Sequence, residues 1–326
     1  MSTKGQLEIV RHTTTNHLEI FLIEMTAKHL HTHSDMELGI LMQGNVTLFV
    51  DQDKYDLKPG DVYLINRYQL HSFSGPAGQN IILAFQVHTD FYRKISHQLE
   101  YLRFQENVFC DGPVYDRIYP VLMECADYYF KPDLFSEVKC SSLFLDALHT
   151  FLQNVPYIMT NEREYSSAQN NALRINRITD YILEHHQERI SLEDIAALEN
   201  VTTFHASHFI KKMLQISFQE YLNNVRFDHA LQLIHQTNLS ILDICLESGF
   251  SSSHYLNQMF LKTFGCTTKE YLARKATPEH IEAAPPGTAI QKRYTYERSA
   301  SLFERMKRGV IKTPQKSISN CRKNLF

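Results

Sequence analysis

The chain has 326 residues, of which 43% are hydrophobic and 11% aromatic, and its formal net charge at pH 7 is −3. This length allows two domains with separate cores, and this composition excludes a largely disordered chain. No apolar run approaches the ~20 residues that a membrane helix needs. The first residues lack the apolar core of a secretory signal, and the six scattered cysteines form no Cys-x-x-Cys pair. We therefore expect a cytoplasmic protein with reduced thiols and no membrane partner.

Short apolar or alternating runs in the first ninety residues predict β-strands. Glycine and proline separate these runs at Gly44, at Pro59 and Gly60, and at Gly75 and Pro76. The predicted strands are Leu18–Glu24, Glu37–Met42, Val46–Val50, Asp61–Ile65 and Ile81–Val87. Many short strands at this spacing are typical of a small antiparallel barrel or sandwich.

Two helical patterns follow the strands, and a second region with helical patterns lies further along the chain. Val114–Phe130 begins after Pro113 and ends before Pro132, and Leu134–Asn154 has apolar residues recurring at intervals of three and four. The fold class predicted is α+β, with an antiparallel barrel, two helices and then an all-helical domain. The predicted segments are a barrel domain at 7–155, a polar linker at 156–172, a helical domain at 173–276 and a basic, poorly ordered tail at 277–326.

The helical domain carries one pattern twice. Ser191-Leu192-Glu193-Asp194-Ile195 recurs 49 residues later as Ser240-Ile241-Leu242-Asp243-Ile244, and Glu220-Tyr221-Leu222 recurs 50 residues later as Glu270-Tyr271-Leu272. Such a period indicates one supersecondary unit used twice. In the first copy Ser191 is the predicted N-cap, with Asp194 as its capping-box partner, and a turn at Asn200 leads to a second helix capped by Thr202. In the second copy Ser240 is the N-cap, Gly249 forms the turn and Ser251 caps the second helix. A long helix, about Phe218–His235, separates the copies and spans ~27 Å.

The second helix of each copy presents short polar side chains on the face opposite its apolar stripe. Side chains of this kind suit base edges in the major groove, and a ~27 Å spacer can set two such helices about one DNA turn apart. The helical domain holds ten Lys/Arg and eleven Asp/Glu, so any DNA contact depends on where the cations lie. The predicted DNA-contacting residues are Thr203, Phe204, Ser207, His208, Lys211, Ser253, His254, Asn257, Gln258 and Lys262.

The repeat resembles the AraC/XylS family of bacterial transcription regulators over about 173–275. The resemblance is carried by Ser217-Phe218-Gln219-Glu220-Tyr221-Leu222, by Ile244-Cys245-Leu246-Glu247-Ser248-Gly249-Phe250 and by Phe260-Leu261-Lys262-Thr263-Phe264-Gly265. It implies two helix-turn-helix units that bind adjacent major grooves, with RNA polymerase as a further partner. This chain departs from the family pattern at five positions, where Asn200 and Gln215 replace glycines, Thr268 replaces a common proline, and His208 and Gln258 replace frequent arginines.

A group of histidines marks the predicted barrel. His31, His33 and Glu37 lie at even spacing, so on one strand their side chains share a face, and His71 follows Pro59 and Gly60. The set resembles the two cupin motifs, and AraC-family regulators often carry such a barrel as effector sensor. Two interpretations stay open. His31, His33, Glu37 and His71 can hold a divalent transition metal, or with Tyr63, and with Asn66, Arg67 and Phe73 nearby, they line an empty or sugar-binding barrel.

The combination predicts a DNA-binding transcription regulator, not an enzyme, that responds to a small molecule and requires no cofactor. It also predicts a homodimer. An apolar seam on the two middle helices is expected both to cover one side of the barrel and to form the dimer interface, and it consists of Tyr119, Leu122, Met123, Phe144, Leu145, Leu148 and Phe151. One alternative is a metal-dependent cupin enzyme with a DNA-binding appendage. The other is a constitutive dimeric DNA-binding protein whose barrel senses nothing.

Overall fold

A computed structural model describes residues 17–76, 80–275 and 291–310 of the chain. These residues fall into two compact units. The barrel unit contains the described residues up to 170 together with 291–310, and the helical unit contains residues 171–275. The predicted fold class is confirmed, because antiparallel sheets with helices come first and an all-helical region follows. Within these ranges no helix combines the length and apolarity needed to cross a membrane.

Two antiparallel sheets form the body of the barrel unit, one with strand order β10-β6-β3-β8-β1-β12 and one with order β2-β7-β4-β5. The strands are β1 (Leu18–Met25), β2 (Ala27–His31), β3 (Met36–Gln43), β4 (Val46–Val50), β5 (Asp53–Leu57), β6 (Val62–Ile65), β7 (His71–Ser74), β8 (Ile81–Val87), β9 (Leu102–Phe104), β10 (Val108–Phe109), β11 (Tyr157–Met159) and β12 (Gln291–Arg293). The five predicted strands are confirmed to within a residue. The sequence pattern missed β2, β5 and β7, because these short strands carry few apolar residues.

The six-stranded sheet is buried on both faces. One face packs with the four-stranded sheet around a core that includes Leu41, Leu48, Phe73 and Ile82. The opposite face, which includes Phe85, packs against helices. This double burial explains why β8 is apolar at nearly every position instead of alternating.

Helices cover the outer face of the six-stranded sheet. They are α1 (Thr89–Ile95), a short 3₁₀ helix (His97–Tyr101), α2 (Gly112–Phe130) and α3 (Ser136–Asn154). Leu122, Phe144, Leu148 and Phe151 are buried in the core beneath them. These four side chains cover one side of the barrel, as predicted, but because they are buried they cannot also form the dimer interface, and that part of the prediction is wrong. Four cysteines, at 125, 140, 245 and 266, are free and buried as expected, whereas Cys110 is disulfide-bonded.

The predicted polar linker is regular structure. Within it, β11 pairs with β9, and helix α4 (Glu162–His185) begins at Glu162 and continues into the helical unit. Asn161 and Glu164 start α4 reciprocally, since the Asn161 side chain accepts from the Glu164 amide at 2.9 Å and the Glu164 side chain accepts from the Asn161 amide at 3.3 Å. The prediction was wrong because polarity alone does not distinguish an exposed helix from a linker.

Short helices joined by tight turns build the helical unit after α4. They are α5 (Leu192–Leu198), α6 (Thr203–Leu214), α7 (Phe218–Gln236), α8 (Ile241–Glu247), α9 (Ser253–Phe264) and α10 (Thr268–Lys275). The predicted long spacer corresponds to α7, which at 19 residues is ~28 Å long. Phe227 and Leu231 of α7 pack with Ile244 of α8 and with Leu256 and Phe260 of α9.

Part of the predicted basic tail belongs to the barrel unit. Residues 291–310 form β12, which pairs with β1, and helix α11 (Tyr296–Val310), which packs on α2. Arg293 pairs with Glu19 and lies 3.9 Å from the centre of the Phe21 ring. The prediction of disorder is wrong for this segment, because its polar strand completes an existing sheet edge and its helix buries Phe303 fully. Residues 277–290 and 311–326 of the predicted tail lie outside the described residues.

Removing the Phe303 side chain tests whether α11 is part of the barrel core. We expect Phe303→Ala to lower the free energy of unfolding by about 3–5 kcal/mol, because it leaves a cavity beside Phe130. Chemical denaturation of the full chain measures this change, with the exposed neighbour Ser301→Ala as control. Equal stability of the two variants would show that α11 does not contribute to the core.

Candidate functional site

The first helix-turn-helix unit is held by local capping. The Ser191 hydroxyl accepts from the Asp194 amide, and the Asp194 carboxylate accepts from the Ser191 amide at 2.8 Å, which confirms the predicted capping box. Asn200 adopts a left-handed φ of 52° in the turn. Asparagine tolerates this conformation better than other side chains, so it can occupy a place where the family pattern has glycine. Thr202 then caps α6 by accepting from the His205 amide.

Helix α6 presents its predicted contact residues to solvent. Ala206 and Ile210 are buried on the inner side, and the exposed side chains are Thr203, Phe204, Ser207, His208 and Lys211. Phe204 is 74% exposed, although phenylalanine side chains are usually buried in folded proteins. Its ring is nearly parallel to that of His208, at 6.4 Å between centroids. Helix α6 therefore offers a mixed apolar and polar face.

The second unit repeats this arrangement with one change. Ser240 caps α8 by accepting from the Asp243 amide, and Gly249 forms the turn with a φ of 80°. A side chain at Gly249 would lie 2.4 Å from the His186 carbonyl oxygen, so only glycine fits. The predicted cap at Ser251 is wrong by one residue, because Ser252 occupies the N-cap position and its side chain makes no capping hydrogen bond.

Four of the five predicted contact residues of α9 are exposed, namely Ser253, His254, Gln258 and Lys262. The His254 and Gln258 side chains lie 3.0 Å apart through their Nε2 atoms. Lys262 is 3.5 Å from the Glu220 carboxylate, a contact that solvent screens because both groups are well exposed. Leu261 and Tyr255 are exposed on the same helix and were missed by the sequence analysis. Leu261 follows His254 by seven residues, so helical spacing could have placed it on the same face.

Asn257 is the exception, because it holds another helix. Its Oδ1 accepts from the Thr268 amide at 3.0 Å and from the Thr268 hydroxyl at 2.7 Å. Thr268 is the first residue of α10 and is fully buried, so its amide is one of the donors that a helix leaves unpaired at its start. The predicted outward orientation of Asn257 toward DNA is therefore wrong. The proline that the family pattern has at this place carries no amide hydrogen and needs no such partner.

Arginines fasten α4 to the rest of the helical unit. Glu199, just after α5, accepts from Arg174 at 3.0 Å and from Arg177 at 3.0 Å. At the other end of α4, Arg226 of α7 donates to the carbonyl oxygens of His186 at 2.7 Å and Glu188 at 2.8 Å. These carbonyls lie past the last turn of α4, where a cation is electrostatically favoured.

A second cluster of functional side chains lies in the barrel unit. His31 ends β2 and pairs in register with His71 at the start of β7, while His33 lies in the loop that follows β2. The ring centroids of His31 and His71 are 4.0 Å apart, and those of His33 and His71 are 4.9 Å apart. One nitrogen from each ring lies within 4.8 Å of the others, so the three imidazoles can share one metal ion.

Hydrogen bonds orient two of these rings. Nδ1 of His33 lies 2.9 Å from the Asp35 carbonyl oxygen, and Nδ1 of His71 lies 3.0 Å from the Gln69 carbonyl oxygen. Because a carbonyl only accepts, each Nδ1 carries the hydrogen, and the Nε2 of a neutral ring keeps its lone pair. Burial lowers the pKa of His71 to about 3, so this ring is neutral. Among the described residues the buried Nε2 of His71 has no hydrogen-bond partner.

Glu37 supports the cluster from one side. Its carboxylate accepts from the Tyr63 hydroxyl at 2.6 Å and lies 3.2 Å from Nε2 of His33. Burial alone would raise the pKa of Glu37, but the contact with His33, which is a charged hydrogen bond when that ring is protonated at both nitrogens, outweighs burial and lowers the pKa. The Tyr63 ring crosses Gly39, where a side chain would approach ring atoms to 2.2 Å. The three histidines form the candidate metal-ligand group. Glu37 contacts this group at His33, and Tyr63 donates a hydrogen bond to Glu37.

Substitutions at Asn257 and Thr268 test whether the hydrogen bonds between these two residues stabilise the start of α10. We expect Asn257→Ala to destabilise the protein by about 0.5–2 kcal/mol, the usual cost of losing a helix cap. In a Thr268→Pro background the same substitution should cost much less, because proline has no amide hydrogen to satisfy. Thermal denaturation of the four combinations gives the coupling, with Gln258→Ala as the control. Equal costs of Asn257→Ala in both backgrounds would contradict the assignment.

Comparison with known proteins gives two family matches. Residues 23–89 match the model of an AraC-like ligand-binding domain, and residues 195–274 match that of a helix-turn-helix domain. An uncharacterized HTH-type transcriptional regulator of Staphylococcus aureus (strain MRSA252) is 24% identical over 260 residues, which are 76% of this chain and 33% of that protein. This chain therefore spans about a third of the length of that relative.

Two further relatives cover more of their own length. The uncharacterized HTH-type transcriptional regulator YfiF of Bacillus subtilis (strain 168) is 24% identical over 244 residues, covering 72% of this chain and 76% of YfiF. The crystal structure of ToxT from Vibrio cholerae O395 matches with 15% identity and a TM-score of 0.37, covering 78% of this chain and 97% of ToxT. The chain is thus similar to AraC-type regulators in two regions, one matching an AraC-like ligand-binding domain and a later one matching a helix-turn-helix domain.

Proposed function

We propose that the protein is a transcription regulator that binds double-stranded DNA through α6 and α9 and acts in the cytoplasm. The observation that carries this proposal is the exposure of matched side chains on two equivalent helices, each placed second in a capped helix-turn-helix unit. His208 and Gln258 can hydrogen-bond to base edges. Phe204 and Leu261 can contact thymine methyl groups, which gives a reason for their exposure. Contact with RNA polymerase is part of the same proposal.

Cations at the same faces support phosphate contacts. Lys211 follows His208 by three residues and Lys262 follows Gln258 by four, so on each helix a cation lies about one turn beyond a base-facing residue and can meet the phosphate backbone. The helical unit has no excess of basic residues, so these local charges and the hydrogen bonds must supply most of the affinity. We therefore propose a binding mode with a modest dependence on salt.

Substitutions on α9 test base recognition. After selection of a preferred duplex from a random library, we expect His254→Ala and Gln258→Ala each to weaken binding to it by about 1–3 kcal/mol. Binding to unrelated duplex should change little, because the lost contacts are to bases. Fluorescence anisotropy measures both affinities. Thr263→Ala is the control, since this exposed residue lies on the opposite side of α9 from His254. Unchanged affinity of both variants for the selected duplex would show that these residues of α9 do not contact bases.

We also propose that the effector is a divalent transition-metal ion held by His31, His33 and His71. Three observations support this finer statement. The nitrogens converge within 4.8 Å, two rings are oriented by backbone carbonyls as metal-bound imidazoles usually are, and the core between the sheets is filled by apolar side chains. A sugar would need several polar groups around a cavity of its own size. Imidazole ligands suit zinc, copper, nickel and iron.

Metal titration tests the effector. We expect one Co²⁺ per chain, detected by its visible absorption and by equilibrium dialysis with elemental analysis. His71→Ala should weaken binding at least about 100-fold, because it removes a ligand and not merely an outer contact. His149→Ala, an exposed histidine of α3, is the control. Cobalt binding that is unaffected by His71→Ala would place the ion elsewhere.

The same histidines would serve a metal-dependent enzyme, so the two functions are separated by what the ion changes. As a regulator, the metal-loaded protein should differ from the metal-free protein in its affinity for the selected duplex. A constitutive DNA-binding protein would show the same affinity in both states. An enzyme would show metal-dependent turnover that is independent of DNA. The regulator is favoured because the matched sensor domain and the reading helices occur on one chain.

We propose that the protein forms a dimer through a surface other than the seam predicted from the sequence. Leu134, Phe135 and Val138, at the start of α3, are 87%, 69% and 68% exposed, and Leu145 follows Val138 by two turns. Apolar side chains in such a group usually mark an interface. We propose that this surface meets its counterpart in a second copy, since a two-fold interface pairs a patch with itself.

A charge in this surface tests the dimer. We expect Val138→Glu to yield a monomer, because each interface would bury two carboxylates close together. Light scattering coupled to size-exclusion chromatography gives the mass. Asp146→Ala, which alters an exposed residue outside the apolar group on the same helix, should remain a dimer. A dimeric Val138→Glu variant would rule out this surface.

A further inference from the structure

The loop that carries His33 is held by the turn that follows β6. The Tyr68 amide donates to the His33 carbonyl oxygen at 2.9 Å, and the Arg67 Nε donates to the Ser34 carbonyl oxygen at 2.9 Å. Tyr68 has a φ of 57°, a left-handed conformation that costs a bulky residue free energy. The two hydrogen bonds from this turn to the histidine loop therefore form together with a strained backbone conformation at Tyr68.

The side chains of Arg67 and Tyr68 contact the beginning of α4. The Arg67 Nη2 donates to the Tyr165 hydroxyl, and the guanidinium carbon lies 5.1 Å from the centre of the Tyr165 ring. The Tyr68 ring meets the Tyr165 ring edge-on at 5.7 Å. The remaining amino group, Nη1, donates to the Glu100 carbonyl oxygen at 3.2 Å. One planar guanidinium thus joins the histidine loop, the 3₁₀ helix at His97–Tyr101 and the first turn of α4.

Helix α4 links this contact to the helical unit within one element. Tyr165 lies in its first turn, and Ile175, Ile178 and Ile182 of the same helix are buried further along the chain in the helical unit. A change in how Tyr165 is held therefore acts on a helix whose other half belongs to the DNA-binding core.

The histidine loop has two alternative partners, which gives the coupling a physical origin. Nε2 of His33 lies 3.2 Å from the Glu37 carboxylate. The same nitrogen would bind a metal held by the three histidines, so His33 can use it either for Glu37 or for the ion. Coupling between sites needs such an element with two arrangements.

We propose that Arg67 is the positioning residue that couples the state of the histidine loop to the start of helix α4. This proposal rests on the proposed function for its use in regulation, but the coupling itself does not require a metal. Lysine cannot replace arginine here, because an ammonium group lacks the planar set of donors that spans three acceptors.

A double-mutant cycle measured by hydrogen exchange tests the coupling without any ligand. The variants are His33→Ala, Arg67→Lys and the double variant of the full chain, and the observable is amide exchange in residues 165–170. We expect His33→Ala to speed exchange there about fivefold or more in the parent background. In the Arg67→Lys background the same substitution should have little effect, since the connection is already broken. Equal effects in both backgrounds would overturn the proposal.

A second arm uses Co²⁺ as the probe and Arg103→Lys as the matched control, because Arg103 pairs with Asp51 on the same barrel. We expect Arg67→Lys, at cobalt concentrations that saturate its own site, to lose the cobalt-dependent change in exchange at 165–170 and in DNA affinity. Arg103→Lys should keep both responses. If Arg67→Lys keeps both, Arg67 does not couple the sites. If the parent binds no cobalt, the metal proposal fails, while the ligand-free cycle still decides the role of Arg67.

Discussion

The barrel unit depends on a six-stranded sheet that is buried on both faces. Leu38 and Leu83 face the helices, whereas Leu41 and Ile82, on the same two strands, face the second sheet. Each buried aliphatic side chain contributes about 1.5–3 kcal/mol, so two apolar faces stabilise the unit more than a half-exposed sheet of equal size could. One face positions the strands that carry the histidines, and the other supports the helical layer.

The helical unit obtains its geometry from a different source. Its helices are short, and short isolated helices are marginal in water. Caps at Ser191, Thr202 and Ser240 satisfy amides that would otherwise be unpaired, and tight turns at Asn200 and Gly249 set the second helix of each unit against the first. The outer face of α6 and most of the outer face of α9 are then exposed, because the inner faces provide most of the packing.

The two histidines with assigned tautomers show how a binding site can be set up by backbone groups. Carbonyl oxygens of Asp35 and Gln69 orient the rings of His33 and His71, and Glu37 is held in turn by Tyr63 across Gly39. These groups come from several separate strands and loops. The hydrogen bonds from residues 67 and 68 to the same loop connect this arrangement to α4, so the histidine site and the first turn of that helix share a common support.

Local chemistry in the sequence was sufficient to predict the elements whose signals are contiguous. Capping serines, the left-handed Asn200, the approximately 50-residue repeat and apolar strands such as Ile81–Val87 are read from neighbouring residues, and they agree with the structure. The resemblance to the cupin motifs also grouped His31, His33 and His71, but the expectation that residues 31 and 33 share one strand was wrong. Strand β2 ends at His31, and its pairing with β7, which the sequence pattern missed, brings the rings together.

Tertiary packing decided the features that depend on distant residues. Asn257 turned from the proposed DNA surface to Thr268 because a buried amide needed an acceptor. The polar segment 162–170 became helix because Arg67 and its own cap support it, and residues 291–310 became ordered because a free sheet edge and an apolar groove accept them. A polar side chain or a short polar strand has no fixed place until the rest of the fold supplies its partner, and a single sequence does not name that partner.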